Sequence, residues 1–143
     1  MRALRTCGAL FVLAVIAGCG SGPPSAESVV RAWSQALNVD DNKTAASLFA
    51  PDAKVVQSGQ VITLRNRKDA LAWNSALPCS GRILSIKSRG QTATATFLLG
   101  NRPHSRCDGP GRHATAVFHV RGGKIVLWHQ IPESPARPSA PPI

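Results

Sequence analysis

The sequence predicts an α+β domain in which helices lead and a curved antiparallel sheet follows. Two observations carry that prediction. Three segments with helical apolar spacing, interrupted by one short hairpin, precede a set of longer strand-like runs separated by turn signals. Size and composition agree with it. A chain of 143 residues with 43% hydrophobic and 17% charged side chains suits one globular domain, not a disordered or collagen-like chain.

Each element has its own signature. Ser25 follows Pro23-Pro24 and is placed to cap the first helix, with Glu27 near the positive end of its dipole. Ala26, Val29, Val30, Trp33, Ala36 and Leu37 then form one broad apolar face. Asn38-Val39-Asp40-Asp41 breaks that helix. Asp40 or Asp41 caps a second one carrying Ala45, Leu48 and Phe49, expected to end at Ala50-Pro51-Asp52. Residues 53–57 read as a strand, Ser58-Gly59 as a turn and residues 61–64 as the return. Asn66 caps a third helix with Ala70, Leu71, Trp73, Ala76 and Leu77, stopped by Pro78. Strands follow at residues 82–88, 91–99 and 112–120, and Arg121-Gly122-Gly123 turns the chain into a last strand at 124–130.

Residues 1–18 carry an address. Arg2 and Arg5 precede an apolar run from Cys7 to Ala17 that is too short for a permanent membrane span. The run ends Ile16-Ala17-Gly18-Cys19, which resembles the bacterial lipoprotein lipobox. That resemblance implies cleavage before Cys19 and acylation of its thiol, with palmitate-type chains holding the protein to a membrane. The expected location is therefore the bacterial cell envelope, as an exported, membrane-anchored lipoprotein. Residues 19–24 read as the lipidated cysteine and a tether, residues 25–131 as the folded domain, and residues 132–143 as a proline-rich disordered tail.

Cysteine usage follows from that compartment. With Cys7 removed and Cys19 lipidated, Cys79 and Cys107 remain in an oxidising environment and are expected to pair. The rival use is a metal site from His104, Cys107, Asp108 and His113, whose spacing matches no recognised zinc pattern. No metal or cofactor is expected.

Trp33-Ser34-Gln35-Ala36-Leu37-Asn38-Val39-Asp40-Asp41, Leu48-Phe49-Ala50-Pro51-Asp52-Ala53, Leu64-Arg65-Asn66-Arg67-Lys68 and Gly123-Lys124-Ile125-Val126-Leu127-Trp128 together resemble the SnoaL-like branch of the nuclear transport factor 2-like superfamily. The resemblance implies a conical barrel, a bent sheet wrapped around the N-terminal helices with a pocket between. That superfamily includes ketosteroid isomerases, polyketide cyclases, dehydratases and non-catalytic binding domains, and homodimers are common in it. A homodimer is accordingly expected here. In isomerase-like members a carboxylate on the first strand is the base and a tyrosine on the first helix assists. Ungapped matching through residues 48–53 puts Gln57 and Trp33 at those positions, and the further acid falls on or near Thr115. None of the three carries that chemistry, because an amide takes no proton at neutral pH and an indole only donates.

An enzyme of cyclase, dehydratase or isomerase type would then need a histidine base. His113 and His119 are the candidates, six apart on one strand and so on one face. The other reading leaves them on the outside of the sheet, with Asp40, Asp41 and Asp52 occupied in caps and turns. Trp33, Trp73 and Trp128, with Phe97 and the polar Gln57, Thr115 and Gln130, form either a packed core or the wall of a pocket for a small apolar ligand. The expected function is a ligand-binding or interaction module without catalysis. The alternatives are the histidine-based enzyme and a structural envelope protein with a filled core.

Charge is the one extreme value, a formal +10. Arg65, Arg67 and Lys68 cluster at the third helix, Arg102, Arg106 and Arg112 around the loop bearing Cys107, and Arg121 and Lys124 at the last turn. The basic side chains are not interleaved with aromatic ones as a base-stacking sheet requires, which argues against nucleic acid. Anionic headgroups are the nearer partner, beside the reading of a merely solvated surface.

Overall fold

The computed structural model describes residues 22–133. The leader expected over residues 1–18, the lipidated Cys19, the start of the tether and the tail from residue 134 lie outside the described residues. Among the described residues no helix is long and apolar enough to cross a membrane.

Helix α1 (Ala26–Asn38) starts where Ser25 accepts a hydrogen bond from the Ser28 N–H, and it buries Val29, Val30, Trp33, Ala36 and Leu37. Asp41 caps α2 (Asn42–Ser47) by accepting from the Thr44 N–H. The second helix is shorter than the sequence suggests. It ends at Ser47, and strand β1 (Phe49–Gln57) takes up Phe49, Ala50, Pro51 and Asp52. Pro51 stops a helix, but it also fits a strand where the ladder is interrupted. The pairing of β1 shifts register between Phe49 and Lys54, and Asp52 there has φ of 61°. Strand β2 (Gln60–Leu64) returns, α3 (Arg67–Ala76) follows its Asn66 cap, and β3 (Cys79–Arg89), β4 (Thr92–Asn101), β5 (His113–Arg121) and β6 (Lys124–Ile131) complete the chain.

The six strands run in the order β2-β1-β6-β5-β4-β3. The expected α+β fold, a curved sheet wrapped around the N-terminal helices, is present, and it differs from the expected antiparallel barrel in two details. Strand β1 pairs with β6 in parallel, so the sheet is mixed, and β2 and β3 remain as edges, so it stays open. Register shifts in β3 and between β5 and β6 bend the strands around α1. The inner face presents Val55, Ala95, Phe97, Phe118, Ile125 and Trp128 to the apolar face of α1. Gly81 leaves room for the Phe97 ring of the neighbouring strand. A side chain there would meet the Phe97 ring at 3.0 Å, and its backbone is gripped by Asn38, whose amide accepts from the Gly81 N–H at 2.8 Å and donates to its carbonyl at 3.1 Å.

Arg102, expected on the basic surface beside Arg106 and Arg112, is instead buried, with its side chain 1% exposed. Its Nε donates to Asp40 Oδ1 at 2.6 Å, one terminal nitrogen donates to the carbonyls of Asn74 and Leu77, and the other to the Asn42 side-chain oxygen. A guanidinium tolerates burial because its planar set of donors is matched by acceptors. Asp40 follows the α1 cap with φ of 59°; its N–H reaches the Leu37 carbonyl and the Asp41 N–H the Ala36 carbonyl, a Schellman closure with aspartate where glycine is usual. Asp40 also accepts from the His104 backbone and pairs with His104 Nδ1 at 2.7 Å. Caps and turns therefore do not exhaust the acids, since Asp40 orients a histidine after all.

Desolvation raises the Asp40 pKa, but hydrogen bonds from His104 and Arg102, with the guanidinium charge, outweigh it and hold the carboxyl below its ordinary 3.8. Removing the guanidinium leaves several buried acceptors unpaired, so Arg102→Met is expected to cost about 3–5 kcal/mol in urea unfolding. A folded-state pKa below the unfolded one contributes stability above pH 3.8 that is lost as pH falls from there toward the folded value. Asp40→Asn should remove that part of the acid slope, and acid-unfolding curves with unchanged slope below pH 3.8 would contradict the assignment.

Candidate functional site

Between α1 and the β3 end of the sheet lies a cleft of about 300 Å³. Trp33 and Leu37 of α1, Phe97 and Leu99 of β4, Trp128 of β6, Leu77 and Pro78 give it apolar walls. Gln57 and Ser58 enter from the end of β1, Gln130 from β6 and Asp108 from the loop after β4. The disulfide expected between Cys79 and Cys107 is formed, and Cys79 borders the cleft. Its closed loop of 28 residues corresponds to about 3.5 kcal/mol of chain-entropy stabilisation. The sulfurs of Cys79 and Cys107 and the Asp108 carboxylate come together, but joined sulfurs offer no thiolate for a metal.

Of the residues singled out from the sequence, Trp33, Gln57, Thr115 and Trp128 border this cleft. Thr115 reaches it between Ala114 and Ala116, while its hydroxyl is hydrogen-bonded at 3.0 Å to Thr96 directly across the strand pair. Trp73 is not among the lining residues. It packs edge-on against Phe49 and Trp128, at 5.6 and 5.1 Å between ring centroids, and supports the wall from behind. His113 and His119 are both exposed and alternate with the buried Ala116, Phe118 and Val120, which puts them away from the core. His113 borders a second, more polar hollow of about 360 Å³ with Arg112, Asp108 and Glu133. That hollow adjoins the cleft and shares Leu99, Asp108, Ala114 and Gln130 with it.

The site thus differs from its sequence outline in two ways. Leu77, Pro78, Leu99 and Ala114 were not distinguishable from ordinary core residues, and Asp108 was visible only as a rival metal ligand. No local motif marks any of them. They meet because β3, β4 and β5 end together near the C-terminus of α3.

No family model and no curated protein matches the chain. Solved structures do resemble it. A nuclear transport factor 2-like protein of unknown function from Cytophaga hutchinsonii superposes with a TM-score of 0.63 at 11% identity, over 78% of this chain and 92% of that one. A candidate ketosteroid isomerase from Kribbella flavida gives 0.63 at 20% identity, over 80% and 83%. A candidate polyketide cyclase from Sinorhizobium meliloti gives 0.58 at 21% identity, over 73% and 94%. The fold is nuclear transport factor 2-like. At such identities the likeness carries the architecture and leaves activity open.

Within this nuclear transport factor 2-like fold the two cleft tryptophans differ in one respect. Trp33 donates its indole N–H to Asn74 Oδ1 at 2.9 Å, and Asn74, fully buried, donates in turn to the Ala70 carbonyl at 2.8 Å. The buried Trp128 Nε1 has no acceptor among the described residues. Phenylalanine at Trp33 strands a buried amide oxygen, whereas at Trp128 it deletes an unpaired donor. Trp33→Phe is therefore expected to be about 1–3 kcal/mol more destabilising than Trp128→Phe in chemical denaturation. Equal losses would show that the Trp33–Asn74 hydrogen bond contributes nothing net.

Proposed function

We propose that this chain is a cell-envelope lipoprotein whose nuclear transport factor 2-like domain binds a small, largely apolar molecule in the cleft and does not transform it. One observation carries the reading. The cleft is walled by aromatic and aliphatic side chains, and Asp108 is the only titratable side chain among its lining residues. Acid–base catalysis needs a group of suitable pKa within hydrogen-bonding reach of the substrate, commonly oriented by a partner. Gln57 stands where the resemblance puts the isomerase carboxylate, and the Asp40–His104 pair is built outside the lining of the cleft. Apolar walls with a few convergent polar groups are the usual makeup of a binding site.

The lipoprotein half of the proposal rests on the run Ile16-Ala17-Gly18-Cys19 behind Arg2 and Arg5. A membrane location also suits the exposed Arg65, Arg67, Lys68, Arg121 and Lys124, each of which contributes about 1 kcal/mol when held near anionic headgroups. Metabolic labelling with an alkynyl fatty acid is expected to mark the wild-type chain and to leave Cys19→Ser unmarked. Label retained by the serine variant would remove the anchor from the proposal.

Cleft occupancy has a direct readout. Native mass spectrometry of the full chain carrying Cys19→Ser is expected to show a co-purifying small molecule, or uptake of the neutral probe N-phenyl-1-naphthylamine. Ala114→Phe, which fills the cleft from β5, should lose it. A wild-type cleft that takes up nothing would favour a structural role.

A further inference from the structure

The carboxylate of Asp108 is the one charged group in the lining of the cleft, and among the described residues it has no hydrogen-bond donor. Its single polar contact is Cys79 Sγ at 3.3 Å, a disulfide sulfur with no proton to give. Among the described residues no N–H or O–H reaches it and no basic side chain is paired with it, although Arg112 borders the adjoining hollow and is directed to Glu133 at 3.8 Å. Asp40, Asp41 and Asp69 are engaged, with Arg102, the Thr44 N–H and Arg65 respectively, while the exposed Asp52 has no side-chain partner among the described residues and does not line the cleft. Asp108 is exposed and therefore hydrated, but its place at the junction of an apolar cleft and a polar hollow leaves its carboxylate open to a cationic group whose apolar part enters the cleft.

Resting on the reading of the cleft as a ligand site, we infer that its ligand is a cationic amphiphile: an amine whose apolar body lies against Trp33, Phe97, Leu77 and Leu99 and whose ammonium group meets Asp108. The amide oxygens of Gln57 and Gln130 add acceptors suited to ammonium N–H donors. Because Asp108 also borders the polar hollow, the charged end keeps water on one side, which avoids the cost of full desolvation. The chain's formal charge of +10 opposes cations at long range. A preference for a cationic ligand therefore has to arise inside the cleft and not from the overall field.

The test compares three ten-carbon probes, decylammonium, decanol and decanoate, each below its aggregation threshold. They are titrated calorimetrically at neutral pH into the full chain carrying Cys19→Ser. Decylammonium is expected to bind tightest, Asp108→Asn to weaken it about fivefold, and decanol to be unaffected by that substitution. Decylammonium binding no tighter than decanol, or an affinity untouched by Asp108→Asn, would overturn the inference while leaving the cleft as an apolar site. Decanoate binding tightest would do the same and would point to Arg112 as the recognising charge. Failure of all three probes would overturn the reading of the cleft together with the inference.

Discussion

The buried pairing of Arg102 with Asp40 is the constraint on which the rest of the domain depends. Asp40 sits at the end of α1, Asn42 in the first turn of α2, Asn74 and Leu77 at the end of α3, and Arg102 just past β4. One side chain therefore fixes three helix termini relative to one strand. Carbonyls at a helix C-terminus have no intrahelical partner, and a guanidinium satisfies two of them here while its charge faces the negative end of the α3 dipole. The Schellman closure places the Asp40 carboxylate, and the His104 contacts hold its other oxygen. Conformational freedom at this junction is removed from both sides.

The cleft inherits its shape from that junction. Asn74, whose carbonyl accepts from Arg102, uses its side chain to accept from Trp33 in the cleft wall. Leu77, held through its own carbonyl, lines the cleft directly, and Pro78 and Cys79 follow it along the rim. Ser105 ties the loop after β4 to the Pro78 carbonyl, and the disulfide ties the same loop to the start of β3. A charged pair that is itself outside the lining thus positions, through Leu77 and Asn74, the wall, the rim and the loop that carries Asp108. Buried ion pairs are weak evidence of net stability; fixing one arrangement among several is a better account of why such a costly group is held here.

Much of this fold was legible in the sequence, and the reasons for the exceptions are physical. Local signals were reliable where local chemistry decides. The caps at Ser25, Asp41 and Asn66, the turns at Ser58-Gly59 and Gly122-Gly123 and the apolar face of α1 all involve residues a few positions apart. The parallel pairing of β1 with β6 joins residues more than 70 positions apart, as Val55 with Trp128, and no periodicity encodes a partner at that distance. Pro51 misplaced the end of α2 because a proline stops a helix and suits a strand irregularity equally well. The sequence points Arg102 to the surface because arginine is rarely buried, and only the convergence of Asp40, Asn42, Asn74 and Leu77 makes burial favourable. Trp33, Gln57 and Trp128 could be placed at the cleft, since they fall on elements the resemblance already oriented.

Strand parity decides what chemistry the cleft holds. Along β5 the side chains of Ala116, Phe118 and Val120 face inward, while His113, Thr115 and His119 alternate with them on the other face. A register shift of one residue would exchange the two sets and bring both histidines to the core face. Ten ladder pairs between β3 and β4 and seven between β4 and β5 hold the register that keeps them out. The same alternation leaves Thr96 and Thr115 bonded to each other and not to a ligand. The inward positions of β5 are alanine, phenylalanine and valine, none of which accepts a proton. Ser34 of α1 also lines the cleft, but its hydroxyl is committed to the Gly81 carbonyl, so the polar groups left for recognition, Gln57, Gln130 and Asp108, come from strand ends and a loop and lie at the rim.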